Sequence, residues 1–260
     1  MSKPKIFLVI SLLGCGLAVF FLLSHREAGV EPSPTVVAGI VLYGYTDDGE
    51  ISWVTEAEEG RIEEGAEELT GVTIRFPGDE EEDLLISAPA LTGRSGLRRL
   101  TGGVRVELGD ELRLMADTIV WNDDTDTLSS PHIELVYGKI EGRGERFNYD
   151  IAGRLAVLEG GVSGTISREE PISIRGERAE ESEGRLVIEG DVVVESDGKT
   201  YRCPRLESDG SGEDIILSGG VTASLSDARL SADTIRIDQD GISVSGSVVL
   251  DIDLKGENGA

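Results

Sequence analysis

The chain has 260 residues and a formal net charge of −26; aromatic residues make up only 5% of it, and 34 residues are glycine. So acidic a chain argues against a nucleic-acid partner, because binding requires Lys and Arg to neutralise phosphates. It also argues against adhesion to an anionic membrane surface. The length allows one large all-β domain or two smaller ones, with an aliphatic core and a solvated acidic exterior.

The first segment, residues 1–26, is predicted to be a cytoplasmic stub followed by a transmembrane anchor. From Ile6 to Leu23 about 18 residues carry no charge, which is long enough for a helix to cross the hydrocarbon core. Lys3 and Lys5 precede this run. Positive residues favour the cytoplasmic side, so the N-terminus is predicted to be cytoplasmic and the bulk of the chain periplasmic.

Two alternatives exist for this segment. A cleaved signal peptide is one, and a lipoprotein-type box at Leu12–Cys15 is the other. No small-residue cleavage site follows the apolar run, so an uncleaved single-pass anchor is favoured. Residues 27–35, EAGVEPSPT, predict a polar linker that spaces the remaining chain from the membrane.

The rest of the sequence is organised by a repeated unit, whose clearest copy is Lys139–Val162 (KIEGRGERFNYDIAGRLAVLEGGV). This copy contains two alternating apolar runs separated by a turn at Ile151–Gly153, which amounts to one β-hairpin. Equivalent apolar positions recur at intervals of about 27 to 32 residues, a period typical of repeat architectures. These positions are Val41, Val72, Val104, Ile133, Val162, Val192, Val221 and Val248.

The connections between runs predict how the strands pair. Asp47–Glu50 and Asn122–Asp126 are rich in Asp, Asn or Gly, which favour the tight turns of antiparallel hairpins. A right-handed β-helix is the alternative, but its coils are usually shorter and its strands parallel. The sequence therefore predicts an all-β, antiparallel jellyroll of hairpin repeats of about 29 to 32 residues, preceded by the transmembrane helix.

The apolar alternation shifts by one residue at corresponding places in several runs. The shifts fall at Ala116-Asp117, at Ala232-Asp233 and at Gly142–Gly144. A one-residue shift moves the following side chains to the other face of a sheet, so each place predicts a bulge or a bend. Strands that bend at matching places predict two packed sheets that share their strands.

The sequence contains no recognisable catalytic pattern. Its serines lack a G-x-S-x-G context, and neither His25 nor His132 is placed to act as a base. Cys15 and Cys203 lie in unrelated segments, so we predict no disulfide, and Cys203 is predicted to be a partly buried small residue. We expect neither an enzyme nor a metal or cofactor site.

Two splayed sheets lined with aliphatic side chains would form an apolar trough suited to acyl chains. Each buried CH₂ would contribute ~0.8 kcal/mol to binding. The same residues could instead fill a closed core, and the sequence leaves both arrangements open. The candidate groove residues are Val72, Ile74, Phe76, Val104, Val106, Leu112, Leu114, Leu135, Tyr137, Phe147, Tyr149, Val157 and Val162.

Two further features concern partners. Arginines are dense between positions 94 and 113, where they either meet phosphates at the trough rim or, as we favour, balance neighbouring acids. The first and last strands would leave backbone N–H and C=O groups unpaired, and such edges can accept a strand from another protein. The predicted edge residues are Val37, Ile40 and Leu42 at the start and Val248, Leu250 and Ile252 at the end.

With its anchor and these repeats, the chain resembles the periplasmic lipopolysaccharide-export proteins of the LptC family. The resemblance spans about residues 36–166 and rests on GIVLYGYTDDGEISW, LTGGVRVEL, LRLMADTIVW, LSSPHIEL and GRGERFNYDIAGRLAVLEGGV. Residues 169–254 resemble further repeats of the LptA/OstA-like module, as in LVIEGDVVVE, IILSGGVTASL and LSADTIRI. Together, these resemblances imply an LptC-like jellyroll over residues 36–168 and LptA/OstA-like repeats over residues 169–256.

The resemblance implies a β-jellyroll of the β-taco type without enzymatic activity or cofactor. Its groove would accept lipopolysaccharide from an inner-membrane Lpt ABC transporter complex and pass it to an LptA-like bridge protein. The N-terminal edge would meet the transporter and the C-terminal edge the bridge. Residues 169–254 exceed the usual length of the anchored family member, so we expect them to replace part of that bridge. The alternative is an anchored scaffold that assembles through its sheet edges without lipid cargo.

Overall fold

The computed structural model describes residues 36–78, 83–109 and 112–252. They form 18 strands of one sheet in which every pairing is antiparallel. The predicted anchor at 1–26 and linker at 27–35 lie outside the described residues. Within the described ranges no helix is long and apolar enough to span a bilayer.

The strands follow one another along the chain, mostly as hairpins. Their bounds are β1 (Val37–Tyr45), β2 (Ile51–Glu63), β3 (Ala66–Phe76), β4 (Leu84–Arg94), β5 (Leu97–Leu108), β6 (Leu112–Asn122), β7 (Thr127–Ser130), β8 (Ile133–Tyr137), β9 (Ile140–Gly144), β10 (Arg146–Asp150), β11 (Leu155–Ile166), β12 (Ile172–Ser182), β13 (Arg185–Ser196), β14 (Lys199–Asp209), β15 (Ile215–Ser224), β16 (Ala228–Ile237), β17 (Ile242–Ser245) and β18 (Val249–Ile252).

Several hairpins are closed by two-residue turns that end in glycine. Glu64-Gly65, Ser95-Gly96, Glu183-Gly184 and Asp197-Gly198 have positive φ at both positions. This is the requirement of a type I′ turn, whose twist matches that of the strands it joins. The turns fix the hairpin registers, and the predicted antiparallel fold is confirmed.

A line of irregular pairing crosses the sheet and divides its long strands. In the β5–β6 pair, Thr101 faces Thr118 and Val104 faces Ala116, so two residues of β5 lie opposite the single residue Asp117. An extra residue on one strand bends it and increases its twist. We call this line the crease.

The crease lies where two of the shifts in the alternation were predicted, but the extra residue is on the partner strand. Gly102-Gly103 of β5 faces Asp117, and Gly219-Gly220 of β15 faces Asp233. All four glycines have positive φ, which a bulge accommodates most readily in glycine. The third predicted bend, at Gly142–Gly144, is displaced by one residue, because β9 ends at Gly144 and β10 begins at Arg146.

The crease separates two parts of the sheet, which we call the first wing and the second wing. From β2 to β6 the first wing holds residues 51–57, 72–76, 84–88, 104–108 and 112–116, and the second wing holds 59–63, 66–70, 90–94, 97–101 and 118–122. In the later strands the first wing continues through β8, β9, 162–166, 172–175, 192–196, 199–203, 221–224, 228–232 and β18. The second wing continues through β7, β10, 155–159, 178–182, 185–189, 205–209, 215–218, 234–237 and β17.

The two wings fold against each other at the crease. Phe76 lies at the outer end of the first wing, in the same cross-strand row as Leu112, and Trp121 lies at the outer end of the second wing. In a flat sheet, Leu112 and Trp121 of β6 would be ~30 Å apart, because a strand rises ~3.3 Å per residue. The ring centroids of Phe76 and Trp121 are nevertheless 5.1 Å apart. The sheet is therefore folded into two packed layers that share strands, as predicted for a jellyroll.

The facing sides of the wings form one apolar core. Every second residue of a strand contributes to it, as Leu100, Val104 and Val106 of β5 do. The core runs without interruption from Trp53 in β2 to Ile237 in β16. The predicted boundary at residue 168 falls between β11 and β12, which pair with each other in both wings, so the sheet is continuous there.

Candidate lipid core, its mouth and its edges

Most of the predicted groove residues lie in this core. Their side chains pack between the wings and fill it, which is the closed arrangement of the two that the sequence left open. Eleven predicted residues are 0% to 7% exposed: Val72, Ile74, Phe76, Val104, Val106, Leu112, Leu114, Tyr137, Phe147, Tyr149 and Val162.

Val157 is an exception, and its predicted place in the groove is wrong. It is half-buried and is the cross-strand partner of Asn148 and Glu180, whereas its neighbours Ala156 and Leu158 are buried. Val157 therefore lies on the outer face. The run LAVL is apolar at every position, so alternation alone could not show which residues face inward.

Leu135 occupies a thinner part of the core. It is half-buried and packs against the core from β8. Its neighbours in the same cross-strand row are Gly142 of β9 and then Gly164 of β11, neither of which carries a side chain. The inner surface is consequently less densely covered with side chains here than along β5 and β6.

The outer ends of the wings meet along a line that we call the mouth. Near β2–β6 the mouth is closed around Arg98, the one charged side chain among the buried residues that the structure describes. The guanidinium carbon of Arg98 lies 4.7 Å from the ring centroid of Trp53 and 4.4 Å from that of Trp121. Because Trp53 belongs to the first wing and Trp121 to the second, the stacked cation links the two wings.

Two carboxylates complete this closure. Arg98 Nε lies 2.9 Å from Glu67 Oε2, and Arg98 Nη1 lies 3.1 Å from Asp123 Oδ2. Trp53 Nε1 donates a hydrogen bond to Asp123 Oδ1 at 3.0 Å. Burial acts to lower the pKa of Arg98, but the hydrogen bonds and charges of Glu67 and Asp123 outweigh it, and the pKa is raised. Arg98 thus balances acids, the role favoured from the sequence, and does not lie on a phosphate-binding rim.

In the middle of the mouth, hydrogen bonds and an ion pair join the two wings in place of aromatic contacts. The backbone N–H of Lys139, in the β8–β9 turn, donates to Gly210 O at 3.1 Å in the β14–β15 turn. Lys139 Nζ lies 3.0 Å from Glu213 Oε1, and Arg168 Nε donates to Gly212 O at 2.7 Å. These contacts join turns of the first wing to a turn of the second.

Beyond these contacts the mouth has a recess of about 460 Å³. Ile172 and Tyr201 of the first wing and Ile237 and Ile242 near the end of the second wing line it. The apolar core therefore approaches solvent at this place. The charged residues around the recess are Lys139, Arg168, Lys199, Glu169, Glu170, Glu213 and Asp238.

The sheet has an edge at each end. Among the described residues, β1 pairs only with β2, while β17 and β18 pair only with β16. The predicted edge residues lie there: Ile40 and Leu42 pack partly against the core, and Val37, Val248, Leu250 and Ile252 are exposed. Both edges offer apolar side chains beside unpaired backbone groups. Their role in partner binding stays a prediction.

The closure around Arg98 was not found from the sequence. One signal was available, since Arg98 occupies an inward position of the alternation that Leu100 continues. Nothing local indicated that Trp53 and Trp121 would meet it, because that contact depends on the folding of the sheet at the crease. Within the described ranges, no cluster of His, Cys, Asp and Glu is arranged to hold a metal.

Known proteins show little similarity to this chain. No family model matches the sequence, and no curated protein matches it. Eight chains of solved structures match, among them LptH of Pseudomonas aeruginosa, described as the LptA homologous periplasmic component of the conserved lipopolysaccharide transport device. The match has 14% identity and a TM-score of 0.28, and it covers 55% of this chain and 86% of LptH. Similarity at this level assigns no function to the present chain.

Proposed function

We propose that this chain is a membrane-anchored periplasmic lipid-transfer module of the lipopolysaccharide-export type. It accepts lipopolysaccharide from an inner-membrane ABC transporter and passes the acyl chains along its core toward the outer membrane. The observation that carries the proposal is the continuous apolar core together with the apolar strands at the two ends of the sheet, each of which has one edge without a partner strand among the described residues.

The core has the chemistry that acyl chains require. Each CH₂ transferred from water would contribute ~0.8 kcal/mol, so a chain of about twelve carbons would gain ~10 kcal/mol. This gain must offset the separation of packed side chains, since the core is closed. We assign the entry of the acyl chains to the recess between Tyr201 and Ile237, where the mouth already has a space between the wings.

The edges provide the route between proteins. A neighbouring strand that pairs with β1 or with β18 would extend the sheet by backbone hydrogen bonds and continue its apolar face. We assign the β1 edge to the transporter, because only the predicted linker at 27–35 separates β1 from the predicted anchor at 1–26. The β17–β18 edge is then assigned to a bridge protein, and residues 169–254 form part of the bridge.

Photo-crosslinking in cells that make lipopolysaccharide tests the proposal. A crosslinking amino acid at Val106 or Leu114 faces the core, whereas one at Arg99 is the matched control at an exposed position of the same strand as Val106. We expect lipopolysaccharide adducts at the two core positions, dependent on ATP hydrolysis by the transporter, and none at the control. Folded protein with no adduct at either core position would refute lipid transfer.

The closed core favours a second candidate, an anchored scaffold that assembles through its edges. In that case core positions yield no lipid adducts, and the protein associates end to end as its concentration rises. Replacing Leu250, which is exposed in the edge strand β18, with Lys would abolish that association. Association that requires Leu250, together with unlabelled core positions, would select the scaffold.

A further inference from the structure

The outer face of the first wing, opposite the core, carries an extended groove. A recess of about 1060 Å³ adjoins a second of about 1130 Å³, and six residues line both: Arg105, Met115, Glu134, Arg143, Ser163 and Arg175. Arg105 alternates along β5 with the buried Val104 and Val106, so the groove and the core are on opposite sides of one layer. We call this feature the outer groove.

Strand register explains the length of the outer groove. Its six shared residues form a single cross-strand row over β5, β6, β8, β9, β11 and β12, each residue facing the next. Neighbouring strands are ~4.8 Å apart, so the row spans ~24 Å. A second row of outer-face residues runs beside it: Glu107, Arg113, Val136, Glu141, Thr165 and Ser173. A groove so long and open suits a linear polymer.

Two arginines of the outer groove remain available for a ligand. Arg175 pairs with Glu195 at 2.8 Å, and Arg143 Nε donates to Ser163 Oγ at 3.1 Å. Within the described part of the chain, by contrast, Arg105 and Arg113 have no carboxylate within 4.0 Å, although Glu107 directly faces Arg113 across the strands. A guanidinium binds carboxylate or phosphate through two parallel hydrogen bonds.

The remaining lining is chemically mixed. Hydroxyls of Ser163, Thr165 and Ser173 and the carboxylates of Glu134 and Glu141 offer hydrogen bonds along the groove. Met115 is 49% exposed and supplies a small apolar contact in the centre. An acyl chain would leave these polar groups without partners, which is unfavourable. A sugar polymer with acidic groups presents hydroxyls, small apolar ring faces and anions together.

We propose that the outer groove binds an oligosaccharide that carries carboxylate or phosphate groups. Arg105 and Arg113 bind its anions, the hydroxyl and carboxylate side chains bind sugar hydroxyls, and Met115 contacts a ring face. The site requires no lipid and is on the other side of the layer from the core, so it is independent of the proposed lipid transfer.

Calorimetry with the full-length chain in detergent micelles tests the site. The probes are hexagalacturonate, which is anionic, and maltohexaose, which is neutral. We expect hexagalacturonate to bind at least tenfold more tightly than maltohexaose. We expect the double variant Arg105→Ser, Arg113→Ser to lower its affinity at least tenfold, and Met115→Glu to lower it through charge repulsion at the centre of the groove.

The matched control is the double variant Arg99→Ser, Arg202→Ser, which removes the same charge from exposed arginines outside the outer groove. Its affinity is expected to stay within twofold of the parent chain. The proposal is overturned if hexagalacturonate does not bind the parent chain, if maltohexaose binds equally well, or if the control loses as much affinity as the groove variant. Thermal unfolding of each variant verifies that all remain folded.

Discussion

The two ends of the mouth are closed in different ways, although the same hairpin repeat builds both. Near β2–β6 a buried arginine is held between Trp53 and Trp121 and by two carboxylates. Near β12–β17 the wings leave a recess that is lined by apolar side chains such as Ile172 and Ile237 and bordered by charged residues. The difference shows that a few side chains at the ends of strands determine whether the core is closed off from solvent or accessible to it. The hairpin repeat determines only that a core forms.

The largest effect is expected from removing the cation at the locked end. Arg98→Ala leaves Glu67 and Asp123 without their buried partner, and breaking such a pair costs ~3–5 kcal/mol. The free energy of unfolding from urea titration measures the loss. Arg99→Ala, at the exposed neighbouring position, is the control and should change stability by less than ~0.5 kcal/mol. If Arg98→Ala lowers the free energy of unfolding by less than about 1 kcal/mol, the closure around Arg98 contributes little to stability.

A smaller effect is expected in the middle of the mouth. A Cβ at Gly138 would collide with the carbonyl oxygen of Gly210 in the other wing, and Gly138 also has a φ of +55°. Gly138→Ala should therefore cost ~2 kcal/mol or more, of which backbone strain is ~1 kcal/mol. Gly198→Ala isolates that strain, because Gly198 has a φ of +70° and open space around it. Equal losses in the two variants would show that the wings do not touch tightly here.

At the accessible end the expected change is in binding, with little change in stability. Ile242→Asp places a carboxylate on the wall of the recess, at a side chain that is already 47% exposed. Uptake of a fluorescent apolar dye should fall several-fold, while stability stays within ~0.5 kcal/mol. Ile62→Asp is the control, since Ile62 is equally exposed and does not line the recess. Equal dye uptake by the two variants would rule out entry at the recess.

The smallest effect is expected in the turn between β6 and β7, which supplies Asp123 to the closure around Arg98. Burial, and then the charges of Asp123 and Asp150, raise the pKa of Asp126. A carboxyl group whose pKa is raised on folding stabilises the folded state at pH values below the pKa it has in the unfolded chain. This contribution is lost as the pH rises through the pKa of the folded state. Asp126→Asn should thus raise the melting temperature slightly at pH 7, and the difference should disappear below pH ~3.5. Asparagine also tolerates the positive φ of Asp126. A lower melting temperature at pH 7 would contradict this account.

Much of the fold could be predicted from the sequence because the information is local. Turn pairs such as Asp197-Gly198 specify hairpins, and the shifts at Asp117 and Asp233 marked the crease. The closed state of the core and the contact of Trp53 with Trp121 could not be predicted, because they depend on how sharply the sheet folds. The orientation of Val157 was predicted wrongly for a different reason. Every residue of the run 155–158 is apolar, so the sequence contains no alternation there that distinguishes inward from outward positions.

Pairing between neighbours in the sequence has a consequence for how such proteins can change size. Most strands pair with the strands immediately before and after them, so a hairpin can be inserted without altering distant contacts. Each inserted hairpin lengthens the sheet by two strand spacings, ~10 Å. The length of the sheet and of its core can therefore change in steps of one hairpin, while the hairpins already present keep their contacts.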